Sequence, residues 1–380
     1  MLLADMLDKS RWAVEVLSGP QTGSEGSLIR EVRERGIPLT IEPMLVREVN
    51  PRKDLLALLH LTRRIRDGCY TIVHTNSSKA GILGRLAARL AGTPVIVHTV
   101  HGWSFHDYMS PVTRRLYILL ERFTARFTNA LVVVARSDIT KGLRAGIGRP
   151  EQYHLIRSAI PLEEFVPTAV DRAAIRQELG LPLDAPVLGN IGRFSTQKNP
   201  LDWVRVAGRV ARDLPECHFL LVGDGPLRRD VEAALVAENI ADRTVLTGLR
   251  RDVPRLLAAI DVFLLTSLWE GLPRVIPQAM SMCVPVVASR ADGTEEVIIQ
   301  GQTGYLCKPG DLDGMAAHCL HLLRDPVCRQ AMGASGRAYV AQEFDVRSMV
   351  ARIAALYEEL LAARAALKQF PCQGSRPALR

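Results

Sequence analysis

Short apolar runs alternate with helix-patterned stretches along nearly the whole chain, and that alternation restricts the fold more than any single residue does. In the first half "WAVEVLSG", "TIVHTN", "PVIVHTVHG", "ALVVVA" and "YHLIRSA" read as buried strands. Between them, "PRKDLLALLHLTRRIRDG" and "KAGILGRLAARLAG" read as helices, each closed by a glycine. In the second half the strands are "PVLGNIGRF", "HFLLVGDG", "TVLTGL", "DVFLLTS", "PVVAS" and "GYLCK", with helices over 199–213, 226–238, 252–259, 273–282 and 311–324. Repeated strand–helix units make parallel sheets covered by helices on both faces. A chain of 380 residues also exceeds one comfortable core. The expectation is an α/β protein of two doubly wound domains in tandem.

The boundary falls in "SAIPLEEFVPTAV" (158–170), where Pro161 and Pro167 bracket an exposed link. The first domain is expected over 1–160 and the second over 161–345. A final amphipathic helix over 346–365 is expected to pack back towards the first domain, with 366–380 a disordered tail. The opening is unusual. A doubly wound domain normally begins with a strand and a Gly-rich turn into its first helix. Here "MLLADMLDKS" reads as a helix and "WAVEVLSG" as a second strand. Either the start lies upstream, or this domain lacks one edge of its cleft.

Charge is placed unevenly. Residues 1–160 hold 23 Lys/Arg against 14 Asp/Glu, whereas the remainder is nearly balanced. Clusters such as Arg63, Arg64 and Arg66, Arg85 and Arg89, and Arg114, Arg115, Arg122 and Arg126 lie on helix-like segments. They read equally well as solvated helix faces or as attraction to an anionic surface, lipid headgroups or a phosphate-bearing substrate. Nucleic acid is disfavoured, since aromatics make up only 5% of residues and no binding module is visible. The seven cysteines are scattered, without CxxC pairs or zinc spacing, which favours a reducing cytoplasm. No apolar run reaches the roughly 20 residues needed to span a bilayer.

Four strand-end loops of the second half carry the chemistry. "GNIGRFSTQKNP" (189–200) brings Gly192, Arg193 and Lys198 to a strand's end with a helix opening at Asn199-Pro200. Two cations beside a helix start suit a diphosphate, Arg bonding bidentately and Lys as a compact charge. "VGDGP" fails as a dinucleotide fingerprint because position 228 is Arg, and reads as a tight turn at Gly223 whose backbone could line a cleft. In "TGLRRDVPRLL" Asp252 reads as a helix cap, and the backbone near Arg250 and Val253 could face a base. In "SLWEGLPRVIPQAM" Pro273 fits a first helical turn, placing Gly271, Leu272 and Pro273 at its positive end, with Glu270 just before and Gln278 within the helix.

The run "GRFSTQK", "LVGDGP", "TGLRRDVPRLLAAIDVFLLTSLWEGLPRVIPQAM", "PVVASRADGTEEVI" and "GQTGYLCKPGD" resembles the nucleotide-sugar domain of family 4 retaining glycosyltransferases. It covers about 190–312 almost continuously. "VHTNSSKAGILGRLAARLAG" and "VHTVHGWSFHDYMSPVTRRLYILLERFTAR" resemble the capsular or exopolysaccharide branch of that family. The resemblance implies the GT-B architecture, two Rossmann-like domains facing across a cleft, with the first on the acceptor side. It implies a nucleotide-diphosphate-sugar donor and transfer with retention to a glycan or lipid-linked acceptor, without a metal or other cofactor. Arg193 and Lys198 would hold the donor diphosphate and Glu270 the sugar, with backbone N–H groups of 271–273 nearby. His101 would stand across the cleft from them.

Two positions depart from the family pattern. The second acid of its Glu-x7-Glu pair, which bonds the ribose, is Gln278 here, and the usual Gly of its turn is Cys283. A neutral amide still bonds a diol, though less strongly than a carboxylate, so donor binding should weaken more than chemistry. Cys283 is strained if that position needs positive φ. His98 and His106 read as structural; Trp103 and Phe105 fit an apolar lip or core packing equally well. Two rival functions follow from the residues: a sugar-nucleotide-binding protein impaired by a truncated reading frame, and an NAD-dependent oxidoreductase, which the failed glycine fingerprint disfavours.

Overall fold

The computed structural model describes residues 1–21 and 27–369. The first half comprises α1 (Leu2–Met6), β1 (Val16–Ser18), α2 (Ile29–Glu34), β2 (Leu39–Ile41), α3 (Pro51–Asp67) and β3 (Ile72–Asn76). It continues with α4 (Ser78–Ala91), β4 (Val95–Val100), α5 (Pro111–Ala125), β5 (Ala130–Val133), α6 (Arg136–Arg144) and β6 (Tyr153–Leu155). The second half runs α7 (Arg172–Glu178), β7 (Val187–Ile191), α8 (Pro200–Asp213), β8 (His218–Val222), α9 (Arg228–Ala237) and β9 (Thr244–Gly248). Then follow α10 (Val253–Ala259), β10 (Val262–Leu265), α11 (Val275–Ser281), β11 (Val286–Ser289), β12 (Gly304–Cys307), α12 (Leu312–Arg324), α13 (Pro326–Glu343) and α14 (Val346–Gln369).

All sheets are parallel. The second half forms one six-stranded sheet in the order β12-β11-β10-β7-β8-β9. That is the doubly wound order, in which the chain reverses direction between β7 and β10. Alternate strand residues face two cores: Val187, Leu220 and Phe263 pack beneath α10, α11 and α13, while Leu188, Phe219 and Leu264 pack against α8, α9 and α12. The first half is interrupted. β3-β4-β5-β6 make one sheet and β1-β2 a separate pair. Val95 and Val97 of β4 face α14, whereas Ile96 faces α3 and α4, so this sheet too is sandwiched between helices. The architecture is that of two Rossmann-like halves, as expected, with the first strand position of the first half empty.

Several local expectations change. β2, α7 and α13 lie in stretches read as connections. The helix expected over 273–282 starts at Val275, so Pro273 precedes it rather than opening its first turn, and Arg274 takes the cap position. Residues 271–273 therefore form a loop ahead of a seven-residue helix. Asp252 does stand at the cap position of α10, but its carboxylate accepts from Arg250 and Arg255 instead of a helix N–H. α14 continues to Gln369, so 366–369 are helical; the rest of the expected tail lies outside the described residues. α14 docks on the first half through Val346, Val350, Ile353, Leu356 and Tyr357.

The basic clusters also divide. Arg85 is no surface charge: it is fully buried and donates to Glu121 at 2.7 Å and to the Gly81 carbonyl at 2.9 Å. Along α5 the opposite holds. Val112, Leu116, Leu119 and Phe123 form an exposed apolar stripe, and Val112 is 78% exposed. Arginines 114, 115, 122 and 126 belong to the same segment.

Candidate active site at the sheet switch point

In an open parallel sheet the loops leaving two neighbouring strands in opposite directions leave a crevice at the strand ends. Here those strands are β7 and β10, and their loops are stitched together. Leu268 N donates to the Gln197 carbonyl at 2.8 Å, Gln197 Nε2 to the Trp269 carbonyl at 3.0 Å, and Thr266 Oγ1 to the Asn199 carbonyl at 2.9 Å. The result brings the Lys198 ammonium onto the Glu270 carboxylate as an ion pair. Glu270 is only 7% exposed, so this pair sits in a screened environment where its charges act strongly. Arg193 leaves β7 on the same loop. The loop packs on the turn after β8: Gly192 N donates to the Val222 carbonyl and Phe194 N to that of Asp224, each at 2.9 Å. Gly223 has φ +137° there, and a Cβ would meet the Gly192 oxygen at 2.0 Å, so only glycine fits.

The first half supplies His101, at the end of β4. Its ring nitrogens face Asn76 Oδ1 at 3.1 Å and Ser158 Oγ at 3.4 Å. Desolvation, with smaller contributions from Arg274 and the N-terminal ammonium, pushes the imidazole pKa below its usual value, so His101 is neutral at pH 7. The loop 101–102 touches the loop 270–271 directly. A Cβ on Gly271 would meet the His101 carbonyl oxygen at 2.2 Å. His101 and Glu270 are thereby neighbours across the cleft, although they are far apart in sequence.

Other expected residues lie elsewhere. Val253 and Gln278 line a cavity of about 810 Å³ that also includes His101 and Arg274, whereas Glu270, Arg193 and Lys198 stand outside its lining. Leu272 is buried in the core beneath α11, leaving its backbone alone to face a ligand. The Arg250 side chain is held away by Asp252 and Glu178. His98 is buried against Thr75 Oγ1 at 2.9 Å, as a structural residue. Trp103 and Phe105 pack in a core cluster with Leu131 and Ile147 rather than forming a lip.

Two groups escaped the sequence reading, and a third, His106, reads there only as structural. Asp292 Oδ2 accepts the Glu270 N–H at 3.2 Å, and its other oxygen pairs with Lys141 of the first half. It stands at φ +45°, a strained setting for a non-glycine residue beside the site. Asp138 is buried nearby, and desolvation plus the Asp292 charge raises its pKa to about 7. His106 stacks on Trp269 with centroids 4.1 Å apart, so the two halves also meet through rings. The Trp before Glu270 was a signal for this contact; the histidine had none. Among the described residues no cluster of His, Cys, Asp and Glu could hold a metal ion.

Two family models together account for most of the chain. Residues 1–158 match the glycosyl transferase 4-like domain and residues 185–325 match the glycosyl transferases of group 1. The chain is 33% identical over 323 residues to an Escherichia coli UDP-Gal:alpha-D-GlcNAc-diphosphoundecaprenol alpha-1,3-galactosyltransferase, spanning 84% of this chain and 83% of that one.

The chain belongs to the family 4 glycosyltransferases.

This glycosyltransferase is also 26% identical to the putative glycosyltransferase EpsD of Bacillus subtilis, over 76% of each chain. Its fold is that of Anabaena HepE, solved with UDP and glucose, at TM-score 0.79 and 22% identity over 91% of this chain and all of that one. The GT-B architecture of the glycosyltransferase is therefore shared with solved enzymes. Among the described residues, no helix is long and apolar enough to cross a membrane.

Proposed function

We propose that this glycosyltransferase moves a hexosyl group from a nucleotide-diphosphate donor to a hydroxyl of a lipid-linked glycan, with retention, in capsular or exopolysaccharide synthesis. The observation that carries the proposal is the pairing of Lys198 with Glu270 at the switch point, on the loop that also carries Arg193, opposite His101. Arg193 and Lys198 hold the donor diphosphate and stabilise the charge it gathers as the C1–oxygen bond breaks, taking the part of a metal ion. Backbone N–H groups at Gly271 and Leu272 add to that field. Glu270 and His101 orient the sugar by its hydroxyls. Gln278 bonds the ribose, and the backbone between Arg250 and Val253 borders the base. The acceptor oxygen bonds C1 from the face the phosphate leaves, and its proton passes to the departing phosphate oxygen.

The relatives support the acceptor class: the Escherichia coli enzyme is named for a diphosphoundecaprenol-linked sugar. The exposed stripe Val112–Leu116–Leu119–Phe123, flanked by arginines, suits the cytoplasmic face of an anionic membrane. Liposome flotation tests this point, and binding indifferent to lipid charge would sink it. Donor hydrolysis screened over UDP-, GDP- and ADP-sugars tests the site. Glu270→Ala and Arg193→Ala are expected to lose about 10²–10³ in turnover, and unchanged turnover in both defeats the assignment. Activity undiminished by EDTA and a product anomer matching the donor complete the test. The gap beside the cleft in the first half supports a second reading, donor binding without transfer. Calorimetric binding of a donor that is never turned over would select it.

A further inference from the structure

Asp292 opens the short turn 292–296 after β11 and stands at φ +45°. An L side chain is strained in that left-handed region, where glycine fits freely. The turn does not need the carboxylate to hold its shape, because Thr294 closes it. Thr294 N donates to the Ala291 carbonyl at 3.0 Å, and Thr294 Oγ1 accepts the Ala291 N–H and donates to the Ser289 carbonyl, each at 2.9 Å. The Asp292 oxygens go to two other elements: Oδ2 accepts the Glu270 N–H at 3.2 Å, and Oδ1 pairs with the Lys141 ammonium of α6. The rest of the turn is wedged between the halves. A Cβ on Gly293 would meet the Gly271 oxygen at 1.9 Å and Ala135 Cβ, at the start of α6, at 3.1 Å. Glu296 Oε1 accepts the Ser137 N–H of α6 at 3.1 Å. One chain of contacts thus runs from Lys198 to the Glu270 carboxylate, from the Glu270 N–H to Asp292, and from Asp292 to Lys141 in the other half.

We propose that Asp292 is a positioning residue for Glu270, and that Lys141 engages it from the first half, so that the meeting of the halves fixes the Glu270 backbone. The proposal rests on the reading of Glu270 as the group that orients the transferred sugar. Three physical points support it. A glycine at 292 would relieve the backbone but lose both contacts, so the strain is offset by bonds that reach the site and not by the turn itself. A carboxylate holds an amide N–H more strongly than a neutral acceptor does, and the lysine fixes the direction in which that carboxylate points. With the halves apart the lysine is withdrawn, Asp292 is free to turn, and Glu270 loses the fixed geometry that orienting a sugar requires.

The test uses the full chain and two readouts, one of which needs no turnover. Hydrogen–deuterium exchange is followed over 267–272, with 262–265 and 286–289 as references in the same sheet. Exchange over 267–272 is expected to rise about tenfold in Asp292→Gly and about threefold in Lys141→Met, with both references still protected. Asp292→Gly should melt no lower than the parent, since glycine accepts the positive φ. Asp292→Asn/Lys141→Met should exchange no faster than Asp292→Asn alone, because the two side chains act as one unit. In donor hydrolysis Asp292→Gly should lower kcat about tenfold and leave the donor KM within about twofold. Unchanged exchange in Asp292→Gly, or a loss of protection shared by the references, overturns the positioning role. Unchanged exchange in Lys141→Met alone overturns the control from the first half. A donor KM that rises while kcat holds also overturns the proposal, since it would put Asp292 on the donor itself. Glu270→Ala separates the two levels. Full turnover in that variant defeats the sugar-orienting reading, whereas impaired turnover there with Asp292→Gly at the parent level defeats the positioning role alone.

Discussion

The second half of the molecule is a finished sheet and the first half is not, although both are built from the same strand–helix units. In the second half β7 occupies the central position, and the loop leaving it carries Arg193 and Lys198 to the crevice at the switch point. In the first half the matching position is a cavity, and His101 arrives instead from β4, one strand beyond β3. The interiors differ too. Arg176 in the second half is buried but satisfied, bonding Asp261 and four carbonyls. In the first half the buried Arg85 leaves Nη1 unpartnered, although unpartnered buried atoms occur in both halves, Asp138 Oδ2 in the first and Trp203 Nε1 in the second among them. The comparison teaches that strand order places a site, whereas a continuous sheet determines how firmly it is held.

The strongest way to break the comparison is Arg85→Met, which leaves Glu121 buried and unpaired. The expected cost is about 3–5 kcal/mol in urea unfolding. Exchange protection should fall at 95–100 and 130–133 while 262–265 and 286–289 keep theirs. The double variant Arg85→Met/Glu121→Leu should recover most of the loss. Equal weakening of both halves would show that they unfold as one unit.

Asp138 gives the next effect, and its direction depends on pH. Its folded pKa is raised to about 7 from an ordinary 3.8, so ionisation opposes folding. Its contribution is present in full below pH 4 and is lost as pH rises through about 7. Asp138→Asn should therefore be clearly more stable than the parent at pH 8 and close to it near pH 4, by urea melts at both values. A parallel offset at the two pH values would remove Asp138 as the cause. A smaller effect concerns the finished half alone. If Gln278 bonds the ribose as proposed, Gln278→Glu supplies a charged acceptor and should lower the donor KM by about tenfold with kcat nearly unchanged. Smallest is Cys283→Gly. Cys283 stands at φ +57°. Relief of about 1–2 kcal/mol, offset by glycine's greater unfolded freedom of about 0.5–1 kcal/mol, should raise stability by at most about 1.5 kcal/mol.

The legibility of the two halves in the sequence follows the same divide. β7, β8, β10 and β11 are buried on both faces and appear as unbroken apolar runs. The loops after them hold Arg193, Lys198 and Glu270 at recognisable places, so the crevice at the switch point was readable. β2 has only three residues, all half-buried, and carries no such run. α13 has Gly333 and Gly336 inside it because backbone and Met280 pack there, which disguises its helical pattern. Arg85 resembled its neighbour Arg89, since its partner Glu121 lies on another helix and only packing joins them. The links Lys141–Asp292 and His106–Trp269 join the two halves, and apart from the Trp before Glu270 nothing local to either partner announces them.

One contact sets a mechanical tolerance. Gly102 and Gly271 meet across the cleft as bare backbone, with room for no Cβ on Gly271 and little on Gly102, whose own φ is +100°. At that point no side chain can swing aside, so two peptide planes fix the narrowest gap the halves can reach. An alanine at 271 would work as a doorstop. Small-angle scattering should then record a wider molecule, while each half, taken alone, keeps its shape.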